Sequence, residues 1–200
     1  SAYLMHRLDT IEARQIKLTQ IESSIERVTQ LLDKLLLMVR IESSPPETVS
    51  TFEVVPLLEA VCDEVTNRFA DRPPTDYAGV PRLPTVKGDA DSFADAIRQL
   101  LDNAYRHTSD ETQVTVYAGI ASNRVWIEVR DDGQGISLDE LPHVFETFWR
   151  QDSAHTSPGL GLGLPIAKKI VEHHRGDIHI DSAIGQGTVI RITLPFERPD

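Results

Sequence analysis

Leu18, Ile21, Ile25, Val28, Leu32, Leu35 and Val39 recur at alternating steps of three and four, inside a stretch from Ser1 to Ser44 that holds neither Gly nor Pro. This is the a/d seam of a helix built to pack against other helices. Leu4 and Ile11 extend the register upstream, while Arg7 and Arg14 interrupt its apolar character. The strict period of about 3.5 residues predicts a helical bundle or coiled-coil dimer. The alternative is a single amphipathic helix lying on its own domain. Ser43-Ser44-Pro45-Pro46 ends the helix and marks a boundary. The expected layout is a helical part over 1–44, a linker over 45–50 and a second domain over 51–200.

In the second domain the pattern changes. Thr51 to Val55 reads as a strand, and Pro56 suits the first turn of a helix running to about Phe69. A loop rich in Pro and Gly follows, from Arg72 to Pro84. Asp89 is placed to cap a helix with Phe93, Ile97, Leu100, Leu101 and Ala104 on its inner side. Alternating apolar residues predict strands near Gln113 to Ile120 and Arg124 to Arg130. A helix is expected from Leu164 to His173, then strands over Asp177 to Asp181 and Thr188 to Leu194 around the turn Gly185-Gln186-Gly187. Helices and mainly antiparallel strands in this order predict an α+β fold: a long helix, then a two-layer sandwich with one sheet under one helical layer.

Composition narrows the function classes. Apolar residues at 40% support a packed core, and a net charge of -11 argues against nucleic acid, whose phosphates call for Lys and Arg. An acidic domain can still hold a nucleotide through helix ends, backbone amides and a metal ion. The single Cys62 rules out an internal disulfide framework and fits a reducing cytosol. No apolar run approaches the ~20 residues of a membrane span. This excludes a membrane span only from these residues and leaves a longer parent protein open.

Four motifs follow one another in the second domain: Gln99-Leu100-Leu101-Asp102-Asn103-Ala104-Tyr105-Arg106-His107, Asp131-Asp132-Gly133-Gln134-Gly135, Phe145-Glu146-Thr147-Phe148-Trp149-Arg150 and Gly159-Leu160-Gly161-Leu162-Gly163-Leu164. Each alone is weak. D-x-G-x-G is also a plain turn composition. A glycine-rich helix entry can expose amides to phosphate, or simply be a hinge. The fourth motif does not match the dinucleotide fingerprint, and no G-x-x-x-x-G-K-[ST] loop is present.

In this order and spacing, from about Thr51 to Pro195, the motifs resemble the GHKL nucleotide-binding superfamily, and within it the catalytic domain of sensor histidine kinases. Asn103 is similar to the N box, Asp131–Gly135 to the first glycine box, Phe145–Arg150 to the F box and Gly159–Leu164 to the second glycine box. Gly185-Gln186-Gly187-Thr188 resembles the closing glycine-threonine motif, and Leu35–Glu42 the end of the dimerisation hairpin. The resemblance implies ATP and Mg²⁺, with Asp131 accepting from the adenine amino group, Gly133 and Gly135 letting the backbone approach the base, and Ile136 and Thr188 among the nucleotide-binding residues. It implies Asn103 on magnesium, and Arg106 and His107 near the nucleotide where the family more often has Lys and Tyr. Residues 151–158 with Gly159, Leu160, Gly161, Leu162, Gly163 and Leu164 would form a lid, and Arg150 would reach the γ-phosphate. Phe145, Phe148 and Trp149 read most simply as hydrophobic anchors of that lid.

The ATP-hydrolysing members of the superfamily carry a Glu general base four residues before the Asn; here that place is Gln99. An amide cannot take a proton near neutral pH. Gln99 either supports the metal or caps a polar pocket. A kinase also needs an acceptor imidazole. His6-Arg7-Leu8-Asp9-Thr10 matches only part of the family's acceptor box, and no turn separates it from Val39. His6 therefore reads as a surface residue, with the first hairpin helix expected to be missing or truncated. The implied partners are a response-regulator receiver domain, the chain's own acceptor hairpin and, in the full-length protein, a second copy. A non-catalytic ATP-binding module and a GHKL ATPase remain the alternatives.

Overall fold

The computed structural model describes residues 2–43, 50–150 and 160–196, in two compact units, Ser1–Val39 and Arg40–Asp200. The first unit belongs to helix α1 (Ala2–Ser43), which runs unbroken, so His6 and Val39 share one helix. The seam residues Leu18, Ile21, Ile25, Val28, Leu32, Leu35 and Val39 are 38–61% exposed, a continuous apolar stripe along α1. The Thr19, Ser24 and Thr29 hydroxyls donate to carbonyls four residues earlier, which accommodates polar residues within the helix. Among the described residues no helix is long and apolar enough to cross a membrane.

The second unit is the expected two-layer α+β sandwich. Its elements are β1 (Thr51–Phe52), α2 (Val54–Arg68), β2 (Asp76–Tyr77), β3 (Val86–Lys87), α3 (Ala90–Arg106), β4 (Val114–Ala121), β5 (Arg124–Asp131), a short 3-10 turn (Leu141–His143), α4 (Gly163–His173), β6 (Asp177–Ser182) and β7 (Thr188–Pro195). Strands in the order β2-β4-β5-β7-β6 form one sheet, antiparallel except for the β2–β4 pair, and β1 pairs with β3 in a separate ribbon. Alternation sorts the sheet residues. Val116 and Ala118, Val125, Ile127 and Val129, and Ile190, Ile192 and Leu194 are buried. The helical layer supplies Phe93, Ile97, Leu100 and Leu101 from α3, and Ile166 and Ile170 from α4.

The expected 51–55 strand stops after Phe52, and α2 begins at Val54, with Pro56 in its first turn as expected. Val54 and Val55 are buried, and a helical turn can bury adjacent residues where a half-buried strand would turn one outward. Pro56 is tolerated because amides of the first turn have no helical acceptor to lose. Strands β2 and β3 fall where a Pro- and Gly-rich loop or no element was expected. Each is only two residues long and is made by its partner strand rather than by its own pattern.

Three polar clusters tie neighbouring elements within each layer. Arg68 and Arg98 join α2 to α3 through Glu64 and Asp102. His174, only 5% exposed after α4, donates from Nδ1 to the Ile170 carbonyl (2.7 Å) and accepts at Nε2 from the Asp89 amide (3.1 Å), the cap of α3. A Cβ at Gly88 would collide with that ring. On the opposite sheet face Glu128, 1% exposed, lies under Arg130 and Arg191. Desolvation pushes its pKa up, but hydrogen bonds and charge from the two arginines hold it below the ordinary carboxylate range.

Candidate nucleotide site

Asp131 ends β5 beside the start of β7, opposite Thr188. Its Oδ1 accepts from the Gly133 amide at 3.0 Å. Desolvation raises its pKa and the charge of Asp132 adds to this, outweighing the hydrogen bonds from the Gly133 and Thr188 backbones. The result is a half-buried carboxylate, fixed in place and still an acceptor. The loop that follows is tied to the β6–β7 turn. The Ile136 amide donates to Ser182 Oγ (2.8 Å), Ser182 Oγ donates to the Gly187 carbonyl (2.8 Å), and the Gly185 amide donates to the Gln134 carbonyl (2.7 Å). Gly135 has φ +72°, and a Cβ there would strike the Ala183 carbonyl, so only glycine fits this join. Ser182 was not singled out in the sequence: its role depends on a loop 46 residues away. Thr188 is buried, its Oγ1 3.1 Å from Ser182 Oγ.

Gln99 and Asn103 lie one turn apart on α3, both half-buried. A Cβ on Gly163 would sit 3.4 Å from Gln99 Oε1, so this face of α3 meets the start of α4. Leu162, the residue capping α4, supplies no side-chain hydrogen bond to the first turn. Amides at such an end, with the positive pole of the helix, suit an anion. Two amide oxygens one turn apart are hard ligands of the kind magnesium accepts while keeping several waters.

His107 follows α3 with its surface exposed. Desolvation from the packed side, then the charges of Arg106 and Arg150, hold its imidazole below the ordinary value. Arg150, although 43 positions from His107 in the numbering, is thus brought within electrostatic reach of the α3 end. The Phe148 amide donates to the Gly161 carbonyl (2.9 Å), joining the two flanks of 151–159. Phe148 adopts φ +67°, a region bulky residues avoid. Of the three aromatics expected to anchor a lid, Phe145 lies under Lys168 (5.5 Å) and Trp149 stacks on His143 (6.3 Å), whereas Phe148 is 58% exposed.

Within the glycine-rich motif Leu162 and Leu164 are buried in the core, so only their backbones can face a ligand. Leu160 and Ile136 are half-buried. Gly159 and residues 151–158 lie outside the described residues. Gln99 and Gly163 thus meet at the α3–α4 contact, with Asn103 one turn further along α3 and Gly161 against Phe148 and Trp149, while Asp131, Gly133, Gly135 and Thr188 lie together at the β5–β7 end.

Residues 88–198 match the family described as histidine kinase-, DNA gyrase B- and HSP90-like ATPase. The adaptive-response sensory kinase SasA of Synechococcus elongatus is 30% identical over 90% of this chain and 47% of its own length. The sensor histidine kinase TrcS of Mycobacterium tuberculosis is 38% identical, over 90% of this chain and 36% of its own. The chain thus spans less than half the length of these curated relatives. Among solved structures, the mycobacterial sensor histidine kinase MprB superposes with a TM-score of 0.63 at 29% identity, covering 73% of this chain and 96% of that one. Full-length ShkA in complex with AMPPNP shares the fold at a TM-score of 0.77 and 23% identity, over 90% of this chain and 38% of that one. On the match over 88–198, with a sandwich and motif order that agree with it, the chain belongs to the histidine kinase-, DNA gyrase B- and HSP90-like ATPase family, as a GHKL-type catalytic domain of the sensor histidine kinase kind.

Proposed function

We propose that this chain binds ATP with its adenine at Asp131 and its phosphates between α3 and the start of α4, and transfers the γ-phosphoryl group to a histidine for relay to a response-regulator aspartate. One observation carries the reading. The residue on α3 that meets Gly163 is Gln99, an amide where a hydrolase needs a carboxylate base. The site can position a triphosphate, but Gln99 cannot take a proton from water. Asp131 would read the adenine amino group, which guanine lacks at that place. Asn103, with Gln99 behind it, would hold magnesium, which when bound screens the phosphate charge. Amides at Gly161 and Gly163 would steady the phosphates, and Arg150 would approach the γ-phosphate.

The cytoplasm, a membrane-anchored parent and a homodimer formed through the α1 seam complete the proposal. The exposed stripe on α1 and the kinase relatives support it. His6 lies on α1, an unbroken helix without the turn that an acceptor hairpin requires. The chain alone, given ATP and magnesium, is expected to bind nucleotide while releasing almost no ADP and taking up almost no label. Fast ADP release would favour the ATPase reading. Acid-labile label that disappears in His6→Ala would make His6 the acceptor.

A further inference from the structure

Arg72 lies in the loop after α2, outside every sequence motif, and its side chain is only 11% exposed. Its guanidinium reaches the C-terminal end of α3. Nη1 donates to the Tyr105 carbonyl, and Nη2 donates to the Ser109 carbonyl, to the Thr108 carbonyl (3.2 Å) and to Thr108 Oγ1 (3.0 Å). The Tyr105 carbonyl belongs to the last turn of α3, where carbonyls lack helical donors, and the Thr108 and Ser109 carbonyls to the turn that follows, at the negative pole of the helix; Ser109 also accepts from the Thr112 amide (3.1 Å). Tyr105 fixes the arginine in turn. Its ring lies 5.3 Å from the guanidinium carbon and stacks on Phe69 at 4.8 Å, and its hydroxyl donates to the Pro73 carbonyl at 2.8 Å. The ion pair to Asp110 is long, at 3.7 Å, and Asp110 is open to water, so it adds little.

Thr108 carries the consequence. Its hydroxyl donates onward to the Ala104 carbonyl (2.6 Å), and its methyl fills the space where Gly133 would carry a Cβ. Gly133 is the residue whose amide holds Asp131 Oδ1. From these contacts we infer that Arg72 is a positioning residue for nucleotide selectivity. By clamping the 105–109 turn it sets Thr108 against Gly133, and so sets the Asp131 carboxylate relative to the Asn103 face of α3. Lysine cannot replace it, because a point charge cannot serve carbonyls on both sides of a planar fork. The inference rests on the proposed placement of ATP.

The test is calorimetric binding of ATP and of GTP to the whole chain, in wild type, Arg72→Lys, Arg72→Gln and Thr108→Ser. A partly unfolded sample weakens both nucleotides by the same factor, so the ATP-to-GTP ratio isolates positioning from stability. Arg72→Lys and Thr108→Ser are expected to lower that ratio by about tenfold. The double variant should fall no further than the weaker single one, since both act through one contact. If Arg72→Gln does not fold, the two conservative variants carry the same test. A wild-type ratio in both conservative variants, or strictly additive losses, would overturn the inference alone. A wild-type chain that does not prefer ATP to GTP would overturn the placement of ATP and this inference with it.

Discussion

Around Asp131 the protein has already engaged its own polar groups. The carboxylate accepts from the Gly133 amide, Ser182 links Ile136 to Gly187, and Thr188 is buried beneath them. Toward Asn103 and the start of α4 the described contacts are of another kind. The first turn of α4 has no side-chain cap, Phe148 is held at a strained φ, and Arg150 and Arg106 crowd one imidazole. The difference teaches a division of labour. The β5–β7 end is assembled before any ligand arrives, which suits the base recognition proposed for it. The α3–α4 end presents the first turn of α4, without a side-chain cap, beside Gln99, which suits the phosphates proposed to lie there.

The sharpest way to break this comparison is Asp131→Asn. It keeps the shape of the preassembled end but removes its charge, and should weaken ATP by about 1.5–3 kcal/mol, roughly ten- to a hundredfold or more. Unchanged affinity in calorimetry would place the adenine elsewhere. The same carboxylate predicts a pH dependence. Its pKa is raised in the fold, so protonation favours the folded state as pH falls through that raised value, while the charged acceptor is lost. ATP affinity should therefore decline in acid at a higher pH than ordinary aspartate titration, about 3.9, would give.

At the other end, Asn103→Ala should abolish the tightening of ATP by added magnesium, a loss of about tenfold, while leaving metal-free binding intact. Persisting enhancement would transfer the metal to Gln99. Smaller is Ser182→Ala, which strands the Ile136 amide and should cost about 1 kcal/mol of stability in urea unfolding, with a lesser effect on ATP. An unchanged midpoint would contradict the preassembled picture. Smallest is Arg175→Gly. Arg175 follows α4 at φ +56°, so glycine there should add about 0.5–1 kcal/mol of stability without altering nucleotide binding. A lowered melting point would mean that the arginine side chain outweighs its backbone strain.

What could be read beforehand was what the chain writes locally. The heptad seam of α1, the cap and inner face of α3, and the paired strands β4 and β5 are periodic over many residues, so pattern alone reveals them. The Asp131–Gly135 loop was legible because its carboxylate, turn and glycines lie within five positions. Arg72, Ser182 and His174 were not, because their partners lie 33 to 85 positions away and only folding brings them together. The two-residue strands β2 and β3 escaped for the same reason, and Val54 and Val55 were read as strand because β-branched residues suit either structure when fully buried. His107 and Arg150 were each named, but their electrostatic proximity is a property of the fold.

The central claim is that this site delivers a phosphoryl group to a histidine rather than to water. It is tested most directly by mixing the whole chain with γ-labelled ATP, magnesium and a separate helical hairpin bearing a histidine-kinase acceptor. The account predicts label on the hairpin that is acid-labile and base-stable, dependent on Asn103 and Asp131, with little inorganic phosphate released when the hairpin is left out. Rapid phosphate release without the hairpin, and no labelled histidine with it, would contradict the account.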